Sequence, residues 1–280
     1  MITCRPMRKD DIERGLSLCR SAGWNQLARD WEIFLQQGPD GCRVAEINEK
    51  VLGTVTTMRY QHFFSWIGMV LVDPAYQRQG IGMQLLREAL QILQMEETVK
   101  LDATPAGREV YLKLNFVDEY LLSRMEAVIT GDKLKDSAAR SINENEIPAL
   151  IKFDREIFGA DRRSLLTWMW KGALEYAYVV MEKNDILGYC AGRNGDKYTQ
   201  IGPVIAKNVG VARQLVSAAL SNCHGRQVIL DVPHQQPQWL VWLASVGFTE
   251  QRNFMRMYRG PNRFPGLPEK IFAIAGPEFG

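Results

Sequence analysis

The sequence predicts an α/β fold with a mixed sheet, built from two tandem copies of one unit. The first observation is a strand, loop and helix at residues 67–90, where a β-branched apolar run gives way to a helical repeat. The second is that a helix pair and several strands surround this centre in an order that is not a plain alternation of strands and helices. The third is that the same order of short patterns recurs in the second half of the chain.

The segments before this centre predict a strand, two helices and three further strands. Asp10 and Asp11 open the first helix, and Gly23 breaks the chain after it. Residues 48–50 form the turn of a hairpin. The predicted elements are a strand at 2–6, a helix from 10 to about 19, a helix around 27–35, and strands at 42–47, 51–60 and 63–72.

The centre is a turn that leads directly into a helix N-terminus. Pro74 stops the strand because proline has a fixed φ and lacks an N–H, and from Met83 onward the apolar residues recur at helical spacing. The first amides of a helix have no helical partners and carry partial positive charge, so they suit a phosphate or diphosphate. Gly80 and Gly82 let the main chain approach such an anion closely, and Arg78 adds a full charge.

The first half closes with two strands and a short helix. The predicted elements are a strand at 99–103, a turn at 104–107, a helix at 109–114 and a strand at 119–128. Periodicity is lost around 128–136, which predicts a linker. We therefore expect one domain at residues 1–130 and a second at 137–280.

Three matches in the same order indicate that the second half repeats the first. They join residues 44–53 to 179–188, residues 67–72 to 201–206, and the Leu-Asp pair at 101–102 to the pair at 230–231. The copies differ at the turn, because only Lys207 and Asn208 stand between strand and helix in the second copy. The second half is therefore predicted not to bind an anion in this way, and to act structurally or to close a pocket. An edge strand is predicted at 271–275.

Composition excludes several classes of protein. With 280 residues, 46% of them apolar, the chain can bury cores for two domains, and a net charge of +2 gives no basis for nucleic-acid or membrane-surface binding. Five scattered cysteines and three distant histidines predict reduced thiols and no metal site. Because no segment has signal-peptide character or membrane-spanning length, a cytoplasmic protein is expected. Nothing in the sequence indicates the oligomeric state.

The pattern V-x-P-x-x-Q-x-x-G-x-G, from Val72 to Gly82, resembles the acyl-CoA binding motif of the GNAT superfamily of N-acetyltransferases. The resemblance implies two tandem GNAT-like folds, with acetyl-CoA as the cofactor of the first. It also implies that the pantetheine arm pairs with the end of the strand and that the diphosphate lies on the turn. The cofactor-binding residues it implies are Leu71, Val72, Gln77, Arg78, Gln79, Gly80, Ile81, Gly82, Met83, Thr104 and Gly107, although turn formation explains the last two equally well.

Tyr111 is the predicted catalytic residue. The segment from Tyr111 to Phe116 resembles the family's Y-x-x-x-G-F pattern, whose tyrosine donates a proton to the departing thiolate. Asn115 stands where the family has glycine, and asparagine tolerates left-handed φ better than most residues. The second half has Leu243 at the matching offset, which agrees with an inactive copy.

The acceptor side is less clearly marked. In the resembled superfamily the segment between the first strands lines the acceptor site, so Trp24 and Asn25 are predicted to contact the substrate, whereas the helical spacing of Trp31 favours a core position. The general base stays open between a chain of waters and three carboxylates, those of Glu46, Asp73 and Asp102.

A second resemblance covers the later half. Five short motifs look like the C-terminal domain of bacterial YitH-like acetyltransferases, in which a degenerate GNAT domain follows a normal one; they lie at 158–162, 202–203, 230–233, 247–248 and 256–258. Together the resemblances imply acetyl transfer from acetyl-CoA to the amine of a small molecule, with an acceptor pocket partly formed by the second domain. The alternatives are a non-catalytic acyl-CoA-binding sensor and a transferase that modifies proteins or antibiotics.

Overall fold

The computed structural model describes residues 2–130 and 137–280. Within these residues the strands form one continuous sheet of 13 strands. The strands are β1 (Thr3–Pro6), β2 (Arg43–Ile47), β3 (Lys50–Tyr60), β4 (Phe64–Val72), β5 (Val99–Ala103), β6 (Val117–Val128), β7 (Arg140–Ser141), β8 (Tyr178–Glu182), β9 (Asp185–Asn194), β10 (Thr199–Ala206), β11 (Gln227–Pro233), β12 (Thr249–Arg259) and β13 (Ile271–Ala273). The α-helices are α1 (Ile12–Ser21), α2 (Ala28–Gln37), α3 (Ile81–Ile92), α4 (Pro105–Leu112), α5 (Ile147–Phe158), α6 (Arg163–Gly172), α7 (Val209–Leu220) and α8 (Pro237–Ser245).

The two halves have the same order of elements, which confirms the predicted tandem fold. A strand, two helices, three strands, a helix, a strand, a helix and a strand follow one another from β1 to β6 and again from β7 to β12. The central β4 and α3 of the first half therefore correspond to β10 and α7 of the second. β13 has no counterpart among the described residues of the first half.

The final strand of each half is paired within the sheet of the other half. The strand order runs β4-β5-β12-β6-β11-β10, so that β12 lies beside β5 and β6 lies beside β11. Arg256 of β12 is opposite Asp102 of β5, and Asp231 of β11 is opposite Arg124 of β6. The sheet is therefore continuous between the two halves. Residues 131–136, which belong to the predicted linker, lie outside the described residues.

Helices cover both faces of the sheet and bury separate apolar clusters. In the first half α3 and α4 pack on one face, with Leu85, Leu86 and Phe116 in its core. On the other face α1, α2, α5 and α6 contribute to one cluster that includes Trp31 and Phe158, so helices from both halves share it. Trp31 is fully buried, which confirms the core interpretation of that residue. In the second half α7 and α8 cover a third cluster.

Helix α4 begins earlier than the sequence suggested. Residues 104–107 were predicted as a turn, but the helix starts at Pro105. The Oγ1 atom of Thr104 accepts a hydrogen bond from the Gly107 amide at 3.2 Å, and proline is favourable at a first helical position because its missing N–H is not needed there. The prediction of an open turn was therefore wrong, and Thr104 is the N-cap of the helix that carries Tyr111.

The turn after α4 tests the predicted tolerance of Asn115. Its φ is 63°, in the left-handed region, and the matching Gly247 has a φ of 101°. We expect Asn115→Gly to change stability little, and Asn115→Val to destabilise the protein by about 1–2 kcal/mol because a β-branched residue fits this region poorly. Urea denaturation of the two variants and the parent protein would measure the difference. Equal midpoints for all three would contradict the backbone explanation.

Candidate active site

Strands β4 and β5 separate after a short parallel ladder. They pair only at Ser65 with Val99 and at Trp66 with Lys100. β4 continues to pair with β3 beyond Trp66, but on its β5 side it has no strand partner among the described residues, and an opening lies between the two strands. Met69 lies in the opening's wall with a φ of 52°, and the hydroxyl of Thr54 donates to its carbonyl oxygen at 2.8 Å. The register between β3 and β4 shifts at this point, which indicates a β-bulge, and the main-chain groups of β4 beyond Trp66 are left available to an extended ligand on the β5 side.

The turn after β4 presents amides at the start of α3. Asp73 accepts a hydrogen bond from the Ala75 amide at 3.0 Å and so fixes the exit from the strand. Arg78 and Gly80 both have left-handed φ values, of 61° and 85°. Gly80 is the N-cap of α3, and it has no side chain that could accept a hydrogen bond from the first-turn amides. These amides and the helix dipole can therefore act on an external anion.

The opening and the turn are two walls of one cavity of about 430 Å³. The predicted catalytic Tyr111 and the predicted substrate residue Trp24 both line this cavity. Most of the predicted cofactor-binding residues line it as well, namely Val72, Gln77, Arg78, Gly80, Ile81, Gly82, Met83, Thr104 and Gly107. The structure thus brings together residues that are 87 positions apart, from Trp24 to Tyr111.

Three predicted site residues do not line the cavity. Leu71 points its side chain into the core and is 5% exposed, so that only its main chain could contact a ligand in the opening. Gln79 has an exposed side chain in the turn. Asn25 is buried, and its amide group binds the turn between β9 and β10 through Tyr198 and the Lys197 amide, at 2.9–3.0 Å. In its place the neighbouring Gln26 lines the cavity.

Tyr111 lies on α4 in a partly buried position. Its ring packs against Phe116 at a centroid distance of 5.9 Å, and among the described residues its hydroxyl has no hydrogen-bond partner. Burial raises the pKa of Tyr111 to about 12, so the phenol keeps its proton at neutral pH. A Cβ atom at Gly107 would lie 3.0 Å from the Tyr111 ring, so a glycine there leaves the ring its space.

Of the three carboxylates proposed as bases, only Asp102 lines the cavity. Glu46 accepts a hydrogen bond from Arg5 at 2.7 Å, and Asp73 pairs with Arg14. The Nε and Nη2 atoms of Arg256 donate to the two carboxylate oxygens of Asp102, each at 2.9 Å. Burial raises the pKa of Asp102 against the opposing effect of Arg256.

The far end of the cavity consists of residues that the sequence interpretation missed. They are Gln26, Arg124, Arg252, Phe254, Pro277 and Glu278. Arg124 belongs to β6, and Arg252 and Phe254 belong to β12. These two strands, each of which pairs with a strand of the other half, are called the exchanged strands, and they form this end of the cavity. One sequence signal was available, because arginines at 252 and 256 flank Phe254 on one face of a strand, an unusual pattern for a buried sheet.

Glu278 belongs to a buried network that joins the two halves. Arg193 of β9 pairs with both Glu278 and Asp30, and Gln26 donates to Glu278 at 2.9 Å. Burial would raise the pKa of Glu278, but Arg193 and Gln26 outweigh it and lower the pKa. The Glu278 side chain that lines the cavity is therefore ionised at neutral pH.

The equivalent opening in the second half is filled by the chain itself. β10 and β11 pair only at Thr199 with Val228 and at Gln200 with Ile229, the same short ladder as in the first half. β13 pairs with β10 further along, where β9 pairs with the opposite edge of β10, and the Ile274 amide donates to the main-chain carbonyl oxygen of Asp231 in β11 at 2.9 Å. The strand predicted at 271–275 is present as β13 (Ile271–Ala273), but it does not extend an outer edge of the sheet, because it occupies the position between β10 and β11 that an extended ligand would need.

The helix that follows β10 is also closed to an anion. Asn208 is the N-cap of α7, and its side chain accepts a hydrogen bond from the Val211 amide at 3.0 Å. The corresponding position of α3 is Gly80, which leaves its amides available. On α8, the indole of Trp239 donates to the Phe272 carbonyl at 2.8 Å and so fixes β13 in place. Within the described residues, the geometry supports an extended-ligand site in the first half and not in the second.

A strand opening, a glycine turn at a helix N-terminus and a tyrosine at the opening define a class of acyl-CoA-dependent transferases. A model of the acetyltransferase (GNAT) family matches residues 10–116, and a model of an acetyltransferase (GNAT) domain matches residues 150–273. The chain belongs to the GNAT superfamily and carries two GNAT domains, as the resemblance implied. It is an acyltransferase, and members of this superfamily generally use an acyl-CoA.

Relatives and solved structures match this chain over most of its length. Holothin acyltransferase of Pseudoalteromonas sp. is 28% identical over 92% of this chain and 87% of its own, and the uncharacterized N-acetyltransferase YitH of Bacillus subtilis is 23% identical over 86% of each. A candidate acetyltransferase of Pyrococcus horikoshii has a TM-score of 0.84 at 26% identity, covering 100% of this chain and 96% of that one. A tandem GNAT protein from the clavulanic acid biosynthesis pathway shares the fold, with a TM-score of 0.66 at 14% identity over 94% of this chain and 100% of that one.

No described helix combines the length and the apolar character that a membrane crossing requires. All five cysteines are free thiols, and four of them are buried.

Proposed function

We propose that this protein transfers an acetyl group from acetyl-CoA to the amine of a small molecule, with residues 1–130 as the catalytic unit and 137–280 as a degenerate copy. The observation that carries the proposal is the single cavity that joins the β4 opening, the turn at residues 77–82 and Tyr111. The filled opening in the second half supports catalysis in the first half alone. The free cysteines support a cytoplasmic location.

The residues present fit an acyl-CoA. The bent end of β4 offers main-chain groups to the pantetheine arm, and the amides at the start of α3 with Arg78 suit the diphosphate. Acetyl-CoA supplies the activated acyl group as a thioester. Positioning of that thioester beside the acceptor amine is the main contribution of the cavity walls.

Two side chains have proposed roles in proton transfer. Acetyl-CoA would supply the acyl carbonyl that the amine attacks, and the Tyr111 hydroxyl would give its proton to the sulfur as the C–S bond breaks. The amine must also lose a proton. We assign the role of proton acceptor to Asp102, directly or through water, because it alone of the three candidate carboxylates lines the cavity. Trp24 and Gln26 line the same cavity, and we assign them to contact with the acceptor.

An acceptor screen tests the proposal. Purified protein, acetyl-CoA and a panel of small amines would be assayed for thiol release, with product masses confirming an added acetyl group. Peptides with free amino termini and aminoglycosides would serve as comparison acceptors for the protein-modifying and antibiotic-modifying alternatives. We expect turnover with a small amine. Tight binding of acetyl-CoA in calorimetry, with no release of the CoA thiol in the presence of any acceptor, would instead indicate the non-catalytic sensor.

A further inference from the structure

Two arginines face each other across the exchanged strands at the far end of the cavity. Arg124 of β6 and Arg252 of β12 are directly opposite in the sheet, and both line the cavity. Their guanidinium groups lie 5.4 and 5.2 Å from the centre of the same Phe254 ring. Like charges at directly opposite positions destabilise a strand pair unless an anion compensates them.

Arg124 has that compensation within the protein. Its Nε and Nη2 atoms donate to the two oxygens of Asp231, each at 2.8 Å, and Asp231 is fully buried. This bidentate pair is complete and occupies both carboxylate oxygens. The second oxygen of Asp231 also accepts from Gln200 at 2.8 Å, so the group has little capacity for another arginine.

Arg252 has no such partner within residues 2–130 and 137–280. It forms no ion pair with an acid of these segments, and its buried Nε atom has no hydrogen-bond acceptor. The acids near enough to influence it are Asp231, which is occupied, and Glu278, whose Oε1 atom already accepts from Arg193 and Gln26. Burial, together with Arg124, lowers the pKa of Arg252 to about 10, so the side chain remains charged at neutral pH.

A carboxylate lies at the same end of the cavity. Asp30 and Glu278 share the single guanidinium group of Arg193, and all three side chains are buried. Burial raises the pKa of Asp30, whereas Arg193 and Gln26 lower that of Glu278, so Glu278 is the ionised acid of this pair that lines the cavity. This end of the cavity therefore presents one arginine without an acid partner and one carboxylate. A ligand with both an amine and an anion would complement both groups.

We infer that Arg252 binds a carboxylate group of the acceptor, so that the acceptor is an amino-acid-like amine; this rests on the proposed acetyl transfer. A planar guanidinium that is partly buried and unmatched is an effective bidentate site for a carboxylate. The Oε2 atom of Glu278, which receives no hydrogen bond from another described side chain, accepts hydrogen bonds from amine N–H groups of the same molecule. Arg252 is then a specificity-determining residue contributed by the second half to a reaction carried out in the first.

The test compares matched acceptors on matched variants. Wild type, Arg252→Gln and Arg252→Lys would be assayed with the common L-amino acids and with their carboxamides, which keep the amine and lose the anion. We expect kcat/KM for the amino acids to fall roughly 10- to 100-fold in Arg252→Gln, with little change for the carboxamides. Arg252→Lys should recover part of the loss, because lysine restores the positive charge but not the bidentate hydrogen bonding of the guanidinium group.

Controls separate this inference from the proposed function. Arg259→Gln changes a half-buried arginine of the same strand outside the cavity lining, and it should behave as wild type. The Kd of acetyl-CoA should be unchanged in Arg252→Gln. Equal losses for amino acids and carboxamides, or no preference in wild type, would overturn the role of Arg252 while leaving acetyl transfer intact.

If no amine is acetylated, the proposed function fails and binding decides the inference. Calorimetry of the CoA-loaded protein with the same amino acids and carboxamides would then be used. Selective binding of the amino acids that Arg252→Gln removes would support the carboxylate site, and equal binding of both sets would overturn it.

Discussion

Gly82→Asp is expected to weaken binding of acetyl-CoA by roughly 100-fold or more, because it sets a carboxylate beside the predicted diphosphate position. Gly82 lies in the first turn of α3, where the amides have no side-chain cap. A Cβ atom there would meet only Val72, at an ordinary contact distance of 3.6 Å. The fold should therefore tolerate the substitution, and isothermal calorimetry would report a loss of affinity rather than of structure.

The duplicated fold offers a matched control for this prediction. Gly210 occupies the corresponding position of α7, where Asn208 already caps the helix. Gly210→Asp should leave the Kd of acetyl-CoA unchanged, and Gly82→Ala should separate the effect of size from that of charge. Gly80→Asp should also abolish binding, although its left-handed φ of 85° adds backbone strain. Wild-type affinity in both aspartate variants of the turn would remove the basis for placing the diphosphate there.

Tyr111→Phe should lower kcat by roughly 100- to 1,000-fold, the usual contribution of a general acid. The ring would keep its packing against Phe116, and the Kd of acetyl-CoA should stay close to that of wild type because only the hydroxyl is lost. Steady-state kinetics with a saturating acceptor, together with calorimetry, would distinguish the two quantities.

A second tyrosine and the pH profile sharpen this test. Tyr76 lines the same cavity beside the turn, and Tyr76→Phe should retain kcat within about threefold, since no proton transfer is assigned to it. Because the pKa of Tyr111 is raised to about 12, its proton is present throughout the range below that value. The kcat of wild type should therefore not decline between about pH 7 and about pH 10 through loss of this proton. Equal kcat values for Tyr111→Phe and wild type would eliminate Tyr111 as the acid.

The local chemistry of the site could be predicted from sequence because it depends on contiguous residues. Pro74, Gly80 and Gly82 determine where β4 stops and where α3 starts, and these features act within a few positions of the chain. Asn115 was expected to adopt a left-handed conformation for the same local reason, and it does so. The internal repeat then extended these predictions to the second half.

The far end of the cavity could not be predicted, because it depends on pairing between distant strands. Nothing near Arg252 in the sequence indicates that β12 lies beside β5, or that Glu278 reaches β4 after β13 has filled the second opening. Asn25 and Gln26 are neighbours, and only the position of the turn between β9 and β10 decides which of them faces the cavity. Such choices follow from tertiary packing and not from local preference.

The exchange of β6 and β12 has a consequence for how the molecule loses its structure. Each strand is an interior member of a sheet made mostly by the other half, so severing the chain near residue 133 would leave either fragment with an unpaired edge and a missing strand. Heat or denaturant should therefore melt the protein in one cooperative transition. Neither fragment alone should form a complete ligand-binding wall, whereas the two mixed together could restore it by supplying each other's strand.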